Sequence, residues 1–416
     1  MKILVVGSGA REHTICWKLK ESEKVSKLYC APGNAGISQI ADCVYIKADE
    51  LEKLVEYSVY NKIDLVVVGP EVPLVLGLVD RLNEKGIKAF GPTKEGAKFE
   101  GSKSYSKDFM KKYNIPSAQY EVYTDSKKAI EELNKFKTPI VVKADGLAAG
   151  KGVLICETIY DAEQAIKSIM DNKQFGDAGN TVVIEEFLTG IEASLLCFVD
   201  GNRIIPMESA RDYKKAYDED KGLNTGGMGC FSPNPIYTQE LKKYIKDHIL
   251  DTTLDGFWNE GIDFKGVLFI GLMIENDQAK VLEYNTRFGD PETEVVLPRL
   301  KSDLVNIMLN CIDGKLSEND LQWKDEQCVT VVLASGGYPE GYEKGKEITG
   351  LNDVDEDIMI FHGGTKFLGN KIVTDGGRVL AVTAMGVTLE EARSKVYKNI
   401  PKINFEKMQY RTDIAK

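Results

Sequence analysis

A chain of 416 residues exceeds one ordinary hydrophobic core and predicts roughly two to four domains. Its composition, 43% hydrophobic and 28% charged, is that of a soluble globular protein, and its longest apolar run, the nine residues GVLFIGLMI, falls far short of the roughly 20 that span a bilayer. A formal net charge of −11 argues against a broad nucleic-acid surface, so any basic groups that hold anions must be local.

Residues 2 to about 100 alternate strand and helix: ILVVG, a helix through Arg11 to Lys20, KLYCA, CVYI, a helix near 50 to 61, DLVVVGPE, a helix near 73 to 85, and KAFG. That rhythm predicts a doubly wound parallel sheet. Gly7-Ser8-Gly9-Ala10-Arg11-Glu12 sits at the first strand–helix junction, where glycines let backbone amides approach a phosphate. The dinucleotide fingerprint is broken, because Glu12 replaces the third glycine and KLYCAPGN lacks the acidic residue that would hold a ribose. A smaller phosphate ligand fits, with Asn34, Gly36, Gly69 and Glu71 at later strand ends of the same sheet; tight turns without a ligand are the plain alternative.

A basic, Ser-rich helix is expected from about 103 to the stop at Ile115-Pro116. Residues 119 to 190 read as a compact strand-and-helix unit. Within it Lys143 ends a strand and a small-residue loop leads to Gly150, Lys151 and Gly152. The spacing is not that of a P-loop; two lysines flanking a glycine loop suit a mobile lid over phosphates, or else an ordinary hairpin with solvated lysines. Glu185-Glu186-Phe187-Leu188 leaves a strand and bends towards Glu192, a geometry that can present backbone groups to an adenine edge and a carboxylate to ribose hydroxyls. Asn224-Thr225-Gly226-Gly227-Met228-Gly229 is a second glycine-dense loop, preceded by Asp212-Tyr213-Lys214-Lys215.

GVLFIGLMIEN and KVLEYNTRF predict a hairpin. Alternation through Val281, Glu283, Asn285 and Arg287 predicts an extended strand whose polar residues share one face. A carboxylate and an amide oxygen suit magnesium shared with phosphates, and a guanidinium beside them suits a phosphoryl group in transfer. A Glu283–Arg287 salt bridge is the plainer alternative. Asp290-Pro291 reads as an N-cap followed by proline in the first helical turn. After Trp323 come short strands, FHGGT and DGGR turns and a helix near 389 to 399. The eight cysteines (16, 30, 43, 156, 197, 230, 311 and 328) form no CxxC pair and the three histidines are scattered, so reduced thiols in a cytoplasmic protein are expected. The chain starts directly on a strand, with no signal-peptide pattern.

Together these segments resemble the ATP-grasp superfamily of carboxylate–amine ligases, and more narrowly the glycinamide ribonucleotide synthetases (phosphoribosylamine–glycine ligases) of purine biosynthesis. The resemblance runs from KILVVGSGAREH through APGNAG, VVGPE, GSKSYSKDFM, VVKADGLAAGKGV, IEEFLTGIEAS, NTGGMG, EYNTRFGDPE, GGYP and DGGRVL to YRTDI, and leaves no long stretch uncovered. It implies an α/β and α+β multidomain fold: an amino-terminal α/β substrate-phosphate domain over 1–102, an ATP-grasp core of 103–118 and 191–325, a lid over 119–190 and a carboxy-terminal α+β domain over 326–416. It also implies ATP-dependent ligation of glycine to 5-phosphoribosylamine through glycyl phosphate. ATP phosphates would lie at Lys103 and Lys143 under the Ala149–Gly152 loop, adenine at Glu185, Glu186 and Leu188, and ribose at Glu192. Glu283 and Asn285 would hold Mg2+ or Mn2+, Arg287 would face the transferring phosphoryl group, and Asp212 would meet the glycine ammonium. The strand before Glu283 offers no acid except Glu275 near its end, which leaves a third protein metal ligand in doubt. A monomer acting on small molecules alone, with neither nucleic acid nor membrane as partner, is expected. Rival readings are a sister ligase with another acceptor, a non-catalytic nucleotide sensor and a nicotinamide oxidoreductase.

Overall fold

Ile3–Val6 and Leu65–Val68 carry no polar side chain on either face, as strands covered by helices on both sides require. In the computed structural model, which describes residues 1–148 and 152–416, these segments are the centre of a parallel sheet. Its strands are β1 (Lys2–Gly7), β2 (Lys27–Pro32), β3 (Asp42–Cys43), β4 (Leu65–Val68) and β5 (Lys88–Phe90), in the order β3-β2-β1-β4-β5. The order reverses between β1 and β4, so the crevice outside their carboxyl ends is where such a sheet takes a ligand. Gly7 and Gly69 stand there. The CVYI run contributes only Cys43 to a two-residue strand, and Tyr45 is exposed. The helix expected near 73 to 85 is two helices, Glu71–Val75 and Leu78–Glu84, because Gly77 turns left-handed (φ 88°) between them.

The basic helix spans Lys103–Lys112, with Ser102 Oγ accepting from Tyr105 N at 3.2 Å as its cap. Then β6 (Tyr120–Tyr123), β7 (Ile140–Ala144), β8 (Val153–Cys156) and β9 (Val182–Glu186) form an antiparallel sheet in the order β6-β9-β7-β8. This unit has its own core, including Ile140, Val142, Ile166 and Ile184.

The chain continues through β10 (Ile191–Asp200), β11 (Ile204–Pro206), β12 (Arg211–Asp212), β13 (Lys215–Tyr217), β14 (Lys221–Asn224), β15 (Gly229–Ser232), β16 (Lys265–Glu275) and β17 (Gln278–Asn285). Sheet β11-β10-β16-β17 carries the predicted hairpin, which turns on Asn276 and Asp277, both with positive φ. A register shift opposite Gly271 and Leu272 makes Leu282 an extra residue. Val281 and Tyr284 therefore both point into the core, while Glu283 and Asn285 share the other face. Simple alternation does not anticipate that flip.

The remaining strands are β18 (Gln327–Ala334), β19 (Ile358–His362), β20 (Thr365–Leu368), β21 (Lys371–Thr374) and β22 (Arg378–Gly386). They do not close a sheet by themselves: the order is β12-β15-β18-β22-β19, so two strands from residues 211–232 complete it. The Asp290-Pro291 expectation is corrected. The helix begins at Thr293 with Glu292 as N-cap, because the Asp290 carboxylate pairs with Arg378 (2.9 Å) and the Pro291 ring packs on Gly227.

Candidate active site

Glu283 and Asn285 lie side by side at the end of β17, Asn285 Nδ2 donating to Glu283 Oε1 at 3.4 Å. Arg287, two residues on and past the strand, donates from Nη2 to Asn285 Oδ1 at 3.4 Å. The alternative reading, a Glu283–Arg287 salt bridge, does not hold; Arg287 Nη2 instead pairs with Glu100 Oε1 at 2.9 Å. Its Nε is buried without a hydrogen-bond partner, 3.8 Å from Glu71 Oε2. Glu71 thus joins the parallel sheet to the end of β17, and Arg287 and Arg11 hold its carboxyl below the ordinary value despite burial. Burial pushes the Glu283 carboxyl up, but Lys214, Lys143 and Lys103 outweigh it and keep the group below its usual range.

An ionised carboxylate beside an amide oxygen fits a divalent metal that takes its remaining ligands from phosphate and water. No group of three or more His, Cys, Asp and Glu among the described residues could hold an ion alone. Gly271, not an acid, stands across from Glu283, and Glu275 lies four residues further along β16, accepting from Thr189 Oγ1 at 3.3 Å.

The expected phosphate lysines converge near this face. Lys143 Nζ approaches Glu185 Oε1 at 2.8 Å and donates to Leu282 O at 3.3 Å. Lys107 Nζ lies 2.9 Å from Glu185 Oε2. Both Glu185 contacts are ionic rather than well-aligned hydrogen bonds, since Lys107 Nζ and Glu185 Oε1 lack bonded partners. Burial brings Lys107 down to about 8 against the pull of Glu185. Lys103 donates to Gly146 O at 3.1 Å, and burial lowers its pKa. Glu186 accepts from Gln119 N at 3.0 Å, and Leu188 is buried at the bend between β9 and β10. Gly152 O accepts from Ala144 N at 2.8 Å, whereas Gly150 and Lys151 lie outside the described residues.

On the other side of Glu283, Lys214 donates to Glu192 at 3.0 Å. Burial would lower the Lys214 pKa, but Asp212, Glu192 and Glu283 raise it well above the ordinary value. Burial raises Asp212, helped by Glu192 and Glu283 and opposed by Lys214. Ser194 Oγ links Asp212 Oδ1 (3.5 Å) and Glu292 Oε1 (3.0 Å). Burial, with Asp212 adding to it, pushes Glu292 up to about 7.

The glycine junction differs from the expectation in one respect. Glu12 folds back into it: Oε2 accepts from Gly9 N at 2.6 Å, and Oε1 pairs with Arg11 Nε at 2.6 Å. A Cβ on Gly7 or Gly69 would collide with the Glu12 side chain, so these glycines make room for a carboxylate. Asn34 is saturated: Nδ2 donates to Ser8 O and His362 O, and Oδ1 accepts from Gly36 N and Ile37 N. Gly36 packs on the His13 and His362 rings. The sheet end nonetheless borders a cavity of about 680 Å³, lined by Gly9 and Asn34 on one side and Lys366, Asp375 and Arg378 on the other.

Sequence reading missed Glu12, Glu100, Lys107, Lys214, Glu292 and Arg378 as parts of the site. Lys107 carried a signal, one helical turn after Lys103 on the same face. Glu12, as the N3 residue of a helix opening on Gly9, carried another. Glu100 and Arg378 had none, because their partners are remote in the chain.

A four-stranded antiparallel sheet and a core sheet that bring buried lysines to a carboxylate–amide–arginine strand end define an ATP-grasp ligase, a class that uses ATP and a divalent metal ion. Family models match nearly the whole chain: the phosphoribosylglycinamide synthetase N domain over residues 1–100, its ATP-grasp (A) domain over 101–293 and its C domain over 328–416. The chain is 49% identical over 416 residues to a phosphoribosylamine–glycine ligase of Clostridium acetobutylicum, covering 100% of both. It is 48% identical over 415 residues to that of Caldanaerobacter subterraneus subsp. tengcongensis, covering 100% of this chain and 99% of that one. The crystal structure of a phosphoribosylamine–glycine ligase from Thermotoga maritima superposes with a TM-score of 0.88 at 37% identity, covering 99% of this chain and 100% of that one. A biotin carboxylase domain from Hydrogenobacter thermophilus, in complex with MgADP and bicarbonate, shares the fold at 15% identity (TM-score 0.77), over 98% of this chain and 91% of that one. The chain belongs to the phosphoribosylglycinamide synthetase family.

Proposed function

We propose that this enzyme condenses glycine with 5-phosphoribosylamine, giving glycinamide ribonucleotide, ADP and phosphate, and that the reaction passes through glycyl phosphate. The observation that carries the reading is the Arg287 guanidinium, which lies against Asn285 at the β17 end and against Glu100 and Glu71 from the amino-terminal segment. Phosphoryl-transfer groups and the crevice of the parallel sheet thereby meet at one side chain.

Glycine's carboxylate is a poor electrophile, and transfer of the γ-phosphoryl to one of its oxygens makes that oxygen a leaving group. The amine of phosphoribosylamine then attacks the carbonyl carbon, phosphate departs with the transferred oxygen, and the nitrogen loses a proton. Lys103, Lys143 and the 149–152 loop bind the ATP phosphates in this reading. Glu185, Glu186 and Leu188 border adenine, and Glu192 the ribose. Glu283 and Asn285 hold Mg2+ or Mn2+, which when bound neutralises phosphate charge. Arg287 Nε, buried and unpartnered, supplies a preorganised donor to the phosphoryl oxygens. Asp212 receives the glycine ammonium, whose charge relieves a carboxylate otherwise crowded by Glu192 and Glu283. Phosphoribosylamine occupies the cavity of about 680 Å³, with Gly9 and Asn34 shaping one wall and Lys366 on the other. Gly7, Gly36, Gly69 and Glu71 are not among the residues that line the cavity. The enzyme acts as a cytoplasmic monomer on small molecules; no helix among the described residues is long and apolar enough to cross a membrane.

The test is ADP release with and without glycine and freshly made phosphoribosylamine. Release should require both, and glycine labelled with heavy oxygen in its carboxylate should pass one label to phosphate. Equal release with bicarbonate or formate in place of glycine would transfer the assignment to a sister ligase. Unlabelled phosphate in a productive reaction would eliminate glycyl phosphate.

A further inference from the structure

Arg378 opens β22 and gathers two other segments around one nitrogen. Its Nη1 donates to Gly226 O and Asp290 O, each at 2.8 Å, and pairs with Asp290 Oδ1 at 2.9 Å. Gly226 admits the guanidinium, since a Cβ there would lie 2.8 Å from Arg378 Cζ. Tyr338 Oη fixes the same loop by accepting from Gly226 N at 3.0 Å. Asp290 is three residues beyond Arg287, and Pro291 packs on Gly227. The carboxy-terminal sheet thus ties the glycine-dense loop to the turn that follows the phosphoryl-transfer arginine.

Two further observations give this tie a direction. Arg378, Asp290 and Tyr338 all line the cavity of about 680 Å³, and Arg378 Nε and Nη2 bond no described residue. The guanidinium therefore has one corner committed to the turn and one edge open to an occupant. Beside it, Glu294 is fully buried with both carboxylate oxygens unpartnered, and burial, with Asp290 adding to it, pushes its carboxyl well above the usual range. The guanidinium is the cation that pairs with Asp290 beside these buried acids, so the conformation of the turn depends on where it sits.

We propose that Arg378 is a positioning residue that couples the two halves of the reaction. The phosphoribosyl group engages its open edge, and Nη1 transmits that engagement to the 287–292 turn, so that phosphoryl transfer is fast when the amine is seated. The proposal rests on the reading of the cavity as the amine-substrate site. Its chemical logic is that an acyl phosphate formed before the amine arrives is lost to water.

The test compares wild type with Arg378→Lys, which keeps the charge but not the fork, and with Tyr338→Phe, which loosens the same loop without altering charge. ADP release is measured with ATP and glycine, with and without phosphoribosylamine, together with product formed per ADP and the KM for ATP. A charge-assisted contact supports a factor of about ten or more. Amine stimulation of ADP release should therefore fall at least about tenfold in Arg378→Lys, with product per ADP dropping below one. Tyr338→Phe should shift both readouts the same way by less, and the KM for ATP should stay within about twofold, since neither contact reaches the nucleotide. Stimulation and stoichiometry retained in folded variants, even with a raised KM for the amine, would overturn the coupling and leave Arg378 a simple contact. Wild-type ADP release indifferent to the amine would overturn the substrate reading and this proposal with it.

Discussion

Replacing Arg287 with alanine should produce two losses of different origin, and a second substitution should separate them. The first is catalytic: removing one preorganised donor from a transferring group costs about 10² to 10³ in turnover. The second is structural. Glu100 is only 8% exposed; one oxygen accepts from Thr286 N at 2.7 Å and the other pairs with Arg287 at 2.9 Å. Removing one partner of a buried pair typically costs about 3–5 kcal/mol. The Arg287 side chain is 19% exposed, so solvent already screens part of the pair and the lower end, about 3 kcal/mol, is expected.

The pH dependence follows from the same charges. Burial raises the Glu100 carboxyl, Arg287 opposes it and Glu71 adds to it, with a net upward shift. Without Arg287 the folded pKa rises further above the unfolded 4.5. The folded variant then binds more protons than the unfolded chain between those two values, so its stability falls as pH rises through that window. The deficit against wild type should be smaller near pH 5 than near pH 8. Adding Glu100→Gln removes the stranded charge, and the double variant should recover most of the stability while remaining slow. Urea unfolding followed by circular dichroism at both pH values, beside ADP release at saturating substrates, reads the two losses separately. Recovery of turnover in the double variant, or unchanged stability of Arg287→Ala at pH 8, would refute this division.

Glu283→Gln should depress turnover far more at limiting than at saturating magnesium, because a full charge leaves the ion's shell while shape is kept; normal activity at limiting metal would remove Glu283 from the ligand set. Amide hydrogen exchange over residues 120–186 should slow when ATP and metal are added, as a lid with its own core closes over nucleotide, and unchanged exchange at demonstrated saturation would count against closure. Glu292, held up to about 7 mainly by burial, makes the fold most stable below pH 4.5 and less so as pH rises through 7. Glu292→Gln should flatten that profile and gain about 3 kcal/mol relative to wild type at pH 8; parallel profiles would show that the carboxyl is ionised throughout.

The sequence was most readable where chemistry and periodicity lie close together along the chain. Glu283, Asn285 and Arg287 are two apart and meet in space, and the Asn276-Asp277 turn fixes the hairpin that presents them. Reading failed where a partner is remote or a local device changes parity. The bulge at Leu282 decides which face Glu283 takes, yet only the pairing with Gly271 and Leu272 reveals it. The glycines at 7 and 69 were legible as a close approach, but what approaches is the Glu12 carboxylate. Asp290-Pro291 has the residue order of a helix start, and a long-range pair with Arg378 overrides the local preference. The carboxy-terminal sheet was read as self-contained because nothing in residues 211–232 announces that its short strands pair with β18 and each other.

A chain of net charge −11 that binds a polyanion must solve that problem locally, and the lysines show how. Lys107 and Lys143 share Glu185, Lys214 leans on Glu192, and Lys103 rests on the Gly146 carbonyl. Lys103 and Lys107 have lost most of their water during folding, and their partners offset only part of that cost. If the ATP phosphates bind here, as proposed, their oxygens meet donors that need not be stripped of a hydration shell again. They compete with protein acceptors whose alignment is imperfect, as the ionic but poorly directed contacts at Glu185 show. Binding becomes an exchange of partners in a low-dielectric setting, where Coulomb terms are large and solvent screening is weak. On the proposed reading the acidic net charge does no harm: the long-range field is screened by salt, while selection of the anion rests on a few nitrogens whose positions the fold has already set.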